Sequence, residues 1–330
     1  MSLFLLLLTS VMSTLLLMPV GIRILKMADM GQYIQSDGPK HATKSKTPTS
    51  AGVWVFLIVI TLIMVCKGIN TTELFYAMLI WLGYMMIGFY DDFSKMRYKN
   101  NDMGLSPRVK IQLQSLIAIL AIYGAYHLLG ENLTEIAVPF GEGRQWSFDL
   151  GILYYPFAFF MMLGASNAFN ITDGLDGLLA GLVCMVCCGF LVLLQSIGVD
   201  VVGYDVIAEM SILMVVLIGV LVGFIWFNCF PASVFLGDSG SLSLGALLAY
   251  VAILLKVEVF FAVLCGVFIA ETISVILQVT YYKYTKGKRI FKMAPLHHHY
   301  ELSGITEPKI VIRFWIGGLI FLMISLCLIL

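Results

Sequence analysis

Charge is what this chain has least of. Only 12% of its 330 residues are Asp, Glu, Lys or Arg, 60% are hydrophobic, and the mean hydropathy is +0.95. Soluble domains carry about 25% charged residues, so an aqueous fold is excluded and the chain is placed in a bilayer. Net charge is also missing. Twenty basic residues balance twenty acidic ones, and no nucleic-acid partner is suggested. Cysteine outside apolar sequence is absent as well. Cys66, Cys184, Cys187, Cys188, Cys229, Cys265 and Cys327 all lie within or at the ends of apolar runs, which argues against a disulfide framework or a zinc site. The CxxC spacing of Cys184 and Cys187 reads as small packing residues in an apolar helix. No fixed-period repeat, low-complexity tract or soluble domain is visible, so residues 1–330 are expected to form one integral membrane domain.

What is there is a series of apolar runs. Taking about twenty apolar residues per crossing, ten candidate spans emerge: 3–25, 51–67, 74–90, 111–130, 151–169, 178–197, 208–230, 241–256, 258–282 and 310–330. Arg23 and Lys26 follow the first run, the wrong polarity for a cleavable signal, so that run is expected to be a permanent span. The loops after spans one, three and nine collect most of the Lys and Arg. The opposite loops hold only Lys67, Arg144 and Lys256, so the positive-inside rule puts both termini outside the cytoplasm. Residues 135–150 alternate apolar and polar around Gly141, Glu142 and Gly143, and a short extracytoplasmic β-hairpin is expected there.

This orientation gathers the unusual polar residues on one face. Asp91, Asp92, Asp173, Asp176, Asp238 and the histidines 297–299 all fall in cytoplasmic loops or at cytoplasmic span ends. A transporter is expected to place polar anchors near the midplane, often at broken helices; here only Glu271 is a candidate. The polar cluster NAFNITDGLDGL at 167–178 needs a reason, because a bare Asp at mid-bilayer costs roughly 2.5–3.5 kcal/mol.

Each motif has a plain structural reading beside a chemical one. Asp91 and Asp92, at the expected C-terminal end of span three, are opposed by the helix dipole and by each other, so a cation such as Lys95 or a divalent ion should face them; they could also simply mark a span end. Asp173 and Asp176 share one face if a helix has begun there, and Gly174 and Gly177 allow close approach of a ligand. The plain alternative is that Thr172 and Asp173 cap the next helix. Asp238, with Ser239 and Ser241, stands where a further helix exposes its first N–H groups, either as an N-cap or as a third acidic group on the same face. Carboxylates, helix N-termini and lysines on one surface suggest metal-assisted phosphoryl transfer. Three adjacent histidines cannot all face one metal from a regular helix, so PLHHHYE at 295–301 is expected to send one or two of them to the site.

Together, DDFSK from Asp91, NAFNITDGLDGL from Asn167, FNCFPASVFLGDSGSL from Phe227 and PLHHHYE from Pro295 resemble the bacterial phospho-N-acetylmuramoyl-pentapeptide transferases. These belong to the polyprenyl-phosphate N-acetylhexosamine 1-phosphate transferase superfamily. The match runs in order over nearly the whole chain, and the histidine motif sets this family apart from relatives that transfer N-acetylglucosamine phosphate. The resemblance implies an all-α polytopic enzyme of the bacterial cytoplasmic membrane, with ten spans and a cytoplasmic active site. The reaction implied is transfer of phospho-MurNAc-pentapeptide from UDP-MurNAc-pentapeptide to undecaprenyl phosphate, giving lipid I and UMP for peptidoglycan synthesis, with Mg2+ and as a homodimer. It implies Asp238 as metal ligand, Asp91 as the base acting on the lipid phosphate with Asp92 beside it, and Lys95 and Lys110 on phosphates. Asn170, Asp173 and Asn228 organise the site, Gly174, Leu175, Asp176 and Phe235 form the uridine pocket, and His297 and His298 contact substrate. The loop KHATKSKTPTSAG places Lys44 and Thr49 near the nucleotide sugar, but it departs from the family pattern, which has glycine at Lys46 and Met-Gly-Gly at Ser50, Ala51 and Gly52. The competing readings are a GlcNAc-1-phosphate transferase and, in another class, a lipid-phosphate transporter or flippase.

Overall fold

The computed structural model describes residues 2–31, 47–66, 68–98, 103–140, 144–196 and 204–329. Twelve α-helices and one hairpin follow in order among them. They are α1 (Leu3–Met27), α2 (Gly52–Cys66), α3 (Thr72–Arg97), α4 (Pro107–Leu129), β1 (Glu135–Phe140), β2 (Arg144–Asp149), α5 (Tyr154–Thr172) and α6 (Leu178–Ser196). Then come α7 (Tyr204–Asn228), α8 (Gly237–Leu254), α9 (Glu258–Leu264), α10 (Gly266–Tyr284), α11 (Leu296–Glu301) and α12 (Glu307–Cys327).

Among the described residues eight helices are long and apolar enough to cross a membrane, or nine if α9 and α10, bent by 74° at a short break, count as one span. The apolar run at 51–67 forms the 15-residue α2, about 22 Å long at ~1.5 Å per residue and short of a ~30 Å hydrocarbon core. The expected run at 258–282 is the broken pair rather than one rod. The hairpin forms as the alternation suggested: β1 and β2 pair antiparallel from Glu135 opposite Asp149 to Phe140 opposite Arg144, and the Gly141–Gly143 turn lies outside the described residues.

The centre is α8. Every residue from Ser239 to Leu254 is buried, and a helix that is apolar or small all round can pack against neighbours on every side. Small residues let its neighbours come close, the usual device where lipid tails offer no hydrophobic drive between helices. A Cβ on Gly88 of α3 would collide with the Asp238 carbonyl, and one on Gly52 of α2 with the backbone of Gly240. Around α8 stand α3 and α5, and α6, α7 and α1 extend the same buried cluster outward.

Two polar clasps hold the hairpin end. Glu209 of α7 accepts from the Asn70 and Thr71 N–H groups at 3.0 and 3.1 Å and from the Thr71 hydroxyl at 2.6 Å, anchoring the start of α3. Lys256 donates to the Leu133 carbonyl at 2.6 Å and pairs with Glu258 at 2.9 Å, which binds the start of α9 to the segment before β1.

Candidate active site

The opposite end of α8 carries the acidic cluster. The α3 helix continues to Arg97, so Asp91 and Asp92 lie inside it and not at its end as the apolar run implied. From there they project in different directions and have different partners.

Asp92 turns to α8. Its Oδ2 accepts from Ser50 Oγ at 2.7 Å and from the Ser239 N–H at 3.3 Å, and its Oδ1 accepts from the Asp238 N–H at 3.2 Å. Expected to be opposed by the dipole of its own helix, Asp92 instead supplies the negative charge at the N-terminus of α8, where a dipole favours it. Asp238 is therefore not the N-cap: it sits in the first turn, and Asp92 does the capping from another helix. Gly237 makes the approach possible, with φ of 74° and no room for a Cβ beside Asp92 and Thr49.

Asp91 faces the lysines. Its Oδ2 lies 2.6 Å from Lys95 Nζ, one helical turn on, and 2.8 Å from Lys110 Nζ of α4, while its Oδ1 accepts from the Leu105 N–H at 2.6 Å. The same ammonium groups reach Asp238 Oδ2, Lys110 at 2.7 Å and Lys95 at 3.3 Å. Asn170, near the end of α5, donates to Asp238 Oδ1 at 2.8 Å and to Ser241 Oγ at 2.9 Å. Asp91 is fully buried, whereas Asp238, Lys95 and Lys110 keep partial exposure, so these three border the open side of the cluster.

Asp173 stands apart. It closes the C-terminus of α5, and no hydrogen bond or ion pair reaches its carboxylate among the described residues. Burial first, then the like charges of Asp238, Asp92 and Asp176, push its pKa well above the usual carboxylate range. Residues 173–177 form a turn, not the opening of a helix, so Asp173 and Asp176 do not share a helical face. Neither Thr172 nor Asp173 caps α6, since Thr172 Oγ1 donates back to the Ala168 carbonyl.

Asp176 and Asn228, expected at the substrate, are buried and engaged with protein groups. Asp176 accepts from the Ala232 N–H at 2.9 Å, and its own N–H donates to Glu307 at 2.8 Å. Asn228 accepts from the Gly177 N–H at 3.0 Å and donates to the Val234 carbonyl at 2.9 Å. Between them they tie the 173–177 turn to the loop before α8. Leu175 is buried behind that turn and Gly174 is exposed on it, while Phe235 is half-buried and accepts from the Ala51 N–H. Thr49 is buried beside Gly237, and Lys44 lies outside the described residues.

The histidines diverge, as expected of three neighbours on a short helix. His297 is fully buried against Gly174, His298 Nδ1 is 2.7 Å from Glu301, and His299 Nδ1 accepts from the Lys292 N–H. Burial holds the His297 imidazole below its ordinary pKa, partly offset by Glu271. Ser50, the Leu105 N–H and Glu307 are participants that the motifs did not single out. Their partners are remote in sequence, and no local pattern marks them.

The donor set suits a hard cation. The groups converging near Asp238 are carboxylates, an amide and hydroxyls, with no thiol among them. Four carboxylates, Asp91, Asp92, Asp173 and Asp238, meet two ammonium groups, Lys95 and Lys110, so the cluster offers more oxygen ligands than the lysines engage. Among the described residues no three His, Cys, Asp or Glu gather as a metal cage. One or two carboxylates completed by substrate phosphates is the ordinary way of holding Mg2+.

Residues 74–256 match the profile of glycosyl transferase family 4. The chain is 40% identical to the phospho-N-acetylmuramoyl-pentapeptide-transferase of Thermodesulfovibrio yellowstonii, over 97% of this chain and 90% of that one. Its likeness to the protein of the same name from Borrelia hermsii is 42%, covering 93% and 89% of the two chains. A third relative of that name, from Maridesulfovibrio salexigens, is 40% identical over 97% of this chain and 90% of its own.

Proposed function

The chain belongs to the phospho-N-acetylmuramoyl-pentapeptide transferases of glycosyl transferase family 4, and from that premise we infer that it transfers phospho-MurNAc-pentapeptide from UDP-MurNAc-pentapeptide to a polyprenyl phosphate, releasing UMP. The observation that carries the reading at the level of residues is the group of Lys95, Lys110 and Asp238 at the mouth of the cluster, with Asp91 buried behind the lysines. Two ammonium groups already held within 3.3 Å of carboxylates are poised to exchange those partners for phosphates. The chemistry needs little more than positioning and charge neutralisation.

In the proposed reaction an oxygen of the lipid phosphate forms a bond to the β-phosphorus of the sugar nucleotide. The bond from the β-phosphorus to the bridging oxygen breaks, and UMP leaves with that oxygen. A phosphate monoester has its second pKa near about 6, so most of the acceptor is already dianionic at neutral pH. Asp91 is thus asked for little as a base. With both oxygens occupied by Lys95, Lys110 and the Leu105 N–H, its stronger role is to hold the two lysines at the phosphates. Asp238 is the residue that would hold Mg2+, and the ion would supply further neutralisation of the diphosphate. Asn170 keeps one oxygen of Asp238 directed, and Asp92 fixes the helix turn that bears it. Asp173 and the Gly174 turn face the donor, with His297 closing behind.

The same reading includes ten crossings, with α2 and the α9–α10 pair each counted once, both termini outside, and the acidic cluster on the cytoplasmic face. Support comes from the basic residues of the loops at that end. Assembly as a homodimer belongs to it too, and the mass of the solubilised particle tests that.

The deciding experiment measures UMP release by detergent-solubilised protein given UDP-MurNAc-pentapeptide, Mg2+ and undecaprenyl phosphate, with UDP-GlcNAc in parallel. Release from the first donor only is expected. Folded protein that releases none would overturn the reading, and release from UDP-GlcNAc alone would move the chain to the neighbouring family. Exchange of UMP into the donor without any lipid acceptor would replace direct attack by a covalent intermediate.

A further inference from the structure

Glu271 has no part in the chemistry above, yet it lies in α10 with no solvent exposure. A carboxylate buried inside a membrane protein is expensive unless it is fully engaged. Its engagement is specific: Oε2 accepts from the Leu296 N–H at 2.7 Å and Oε1 from the His297 N–H at 3.2 Å, the first two residues of α11. His297 Nδ1 lies 3.3 Å from the same Oε1. Two turns further along α10, Gln278 accepts from the Ile290 and Phe291 N–H groups at 3.0 Å and donates to the Phe291 carbonyl at 3.1 Å. One helix therefore holds both the histidine helix and the segment leading to it.

The held helix meets the substrate wall at one point. The His297 ring packs on Gly174 so closely that any Cβ there would collide with Nε2. Both His297 ring nitrogens are buried; Nε2 has no hydrogen-bond partner among the described residues, and Nδ1 has only the 3.3 Å approach to Glu271 Oε1. A polar ring is thus kept at the 173–177 turn by Glu271, which lies near its Nδ1 and grips the backbone of its helix. Apolar packing could hold a short helix in place, but bonds to the N–H groups of consecutive residues also fix its rotation.

We propose that Glu271 is a positioning residue, whose carboxylate holds the histidine helix so that His297 closes on Gly174 and the pocket for the nucleotide end of the donor is complete. The inference rests on the transferase reading, which makes the Gly174 turn a wall of that pocket. Without the carboxylate, the N–H groups of half-buried Leu296 and buried His297 lose their acceptor and α11 is released from Gly174. The pocket is then assembled in only a fraction of molecules, and apparent donor affinity falls by that fraction. Asp91, Lys95, Lys110 and Asp238 are held by one another and by α3, α4 and α8, so the chemical step in an assembled complex is untouched.

The test compares Glu271→Ala and Glu271→Gln with the unaltered protein, measuring KM for UDP-MurNAc-pentapeptide, kcat at saturating donor, and direct binding of UMP. Glu271→Ala is expected to raise KM and weaken UMP binding by about ten-fold or more, with kcat within about three-fold. Glu271→Gln keeps one acceptor oxygen and should show the same split at smaller size. Combining it with His297→Asn should add less than the sum of the separate effects. Unchanged KM and UMP binding in folded variants would overturn the proposal, as would a fall in kcat at constant KM, or unfolding of both variants, either of which marks an architectural role. Failure of the unaltered protein to bind UMP or release it strikes the transferase reading instead.

Discussion

Replacing Asp92 by Asn separates a residue that acts on substrate from one that holds another in place. Asp92 accepts three hydrogen bonds, from Ser50 Oγ and from the N–H groups of Asp238 and Ser239. Asn keeps one acceptor oxygen and turns a donor toward groups that are themselves donors, so one or two of these bonds are lost. A hydrogen bond to a charged acceptor is worth ~1.5–3 kcal/mol, and loss of an N-cap alone costs ~1 kcal/mol. If about 2–3 kcal/mol of this appears as displacement of Asp238, turnover falls roughly 30- to 160-fold. Ser50→Ala removes one donor and leaves the two backbone bonds, so a loss of ~1 kcal/mol, about five-fold in rate, is expected. Because the two side chains touch, the double variant should lose less than the sum. The assay is UMP release at saturating substrates, with amide hydrogen exchange at Asp238 to Ser241 reporting the first turn of α8. That exchange should quicken in Asp92→Asn. If it stays as it was and Asp92→Asn is as inactive as Asp238→Asn, Asp92 acts on the reacting atoms and the capping argument is wrong.

Asp238→Ala, which removes the shared partner of Lys95, Lys110 and Asn170, should abolish Mg2+-dependent turnover while the protein remains folded; normal turnover at ordinary Mg2+ would remove Asp238 from the metal role. Burial lowers the pKa of His297 below 6.5, so the folded state disfavours the proton. Its contribution to stability is present above the unfolded value and is lost as pH falls from there through the lowered folded value, at no more than ~1.4 kcal/mol per pH unit. Unfolding curves over that window should show this slope in the unaltered protein and lose it in His297→Asn. Gly88→Ala places a Cβ against the Asp238 carbonyl, so α3 and α8 must separate and both thermal stability and turnover should fall. Glu209→Gln, at the hairpin end, should destabilise by ~1–3 kcal/mol with KM unchanged; a changed KM would show that the two ends are coupled.

How far the site could be read from the chain differs residue by residue. The pairing of Asp91 with Lys95 follows from their spacing, because residues four apart share a helix face. The divergence of His297, His298 and His299 follows from adjacency. Asp92 could not be read, since its partners Asp238 and Ser239 come from a helix more than 140 residues away. Nor could the engagement of Asp176 and Asn228, whose bonds to Ala232, Gly177 and Val234 exist only once the two loops have docked. Helix ends misled in one place: polar residues stop an apolar run, but α3 continues through them to Arg97 because its backbone bonds do not depend on side-chain polarity.

By itself the sequence determined that the chain lives in a membrane, that its motif aspartates and most of its basic residues sort to one set of loops, and which motifs it shares with a transferase family. These are matters of composition, order and spacing, and they need no third dimension. Only the tertiary structure decided which carboxylate meets lysines, which caps a helix, which stands unpartnered, and that Glu271 grips the histidine helix. Those roles depend on the direction of each side chain and on neighbours brought from distant segments. Close packing around α8, permitted by glycines such as Gly88 and Gly52, is what brings them there.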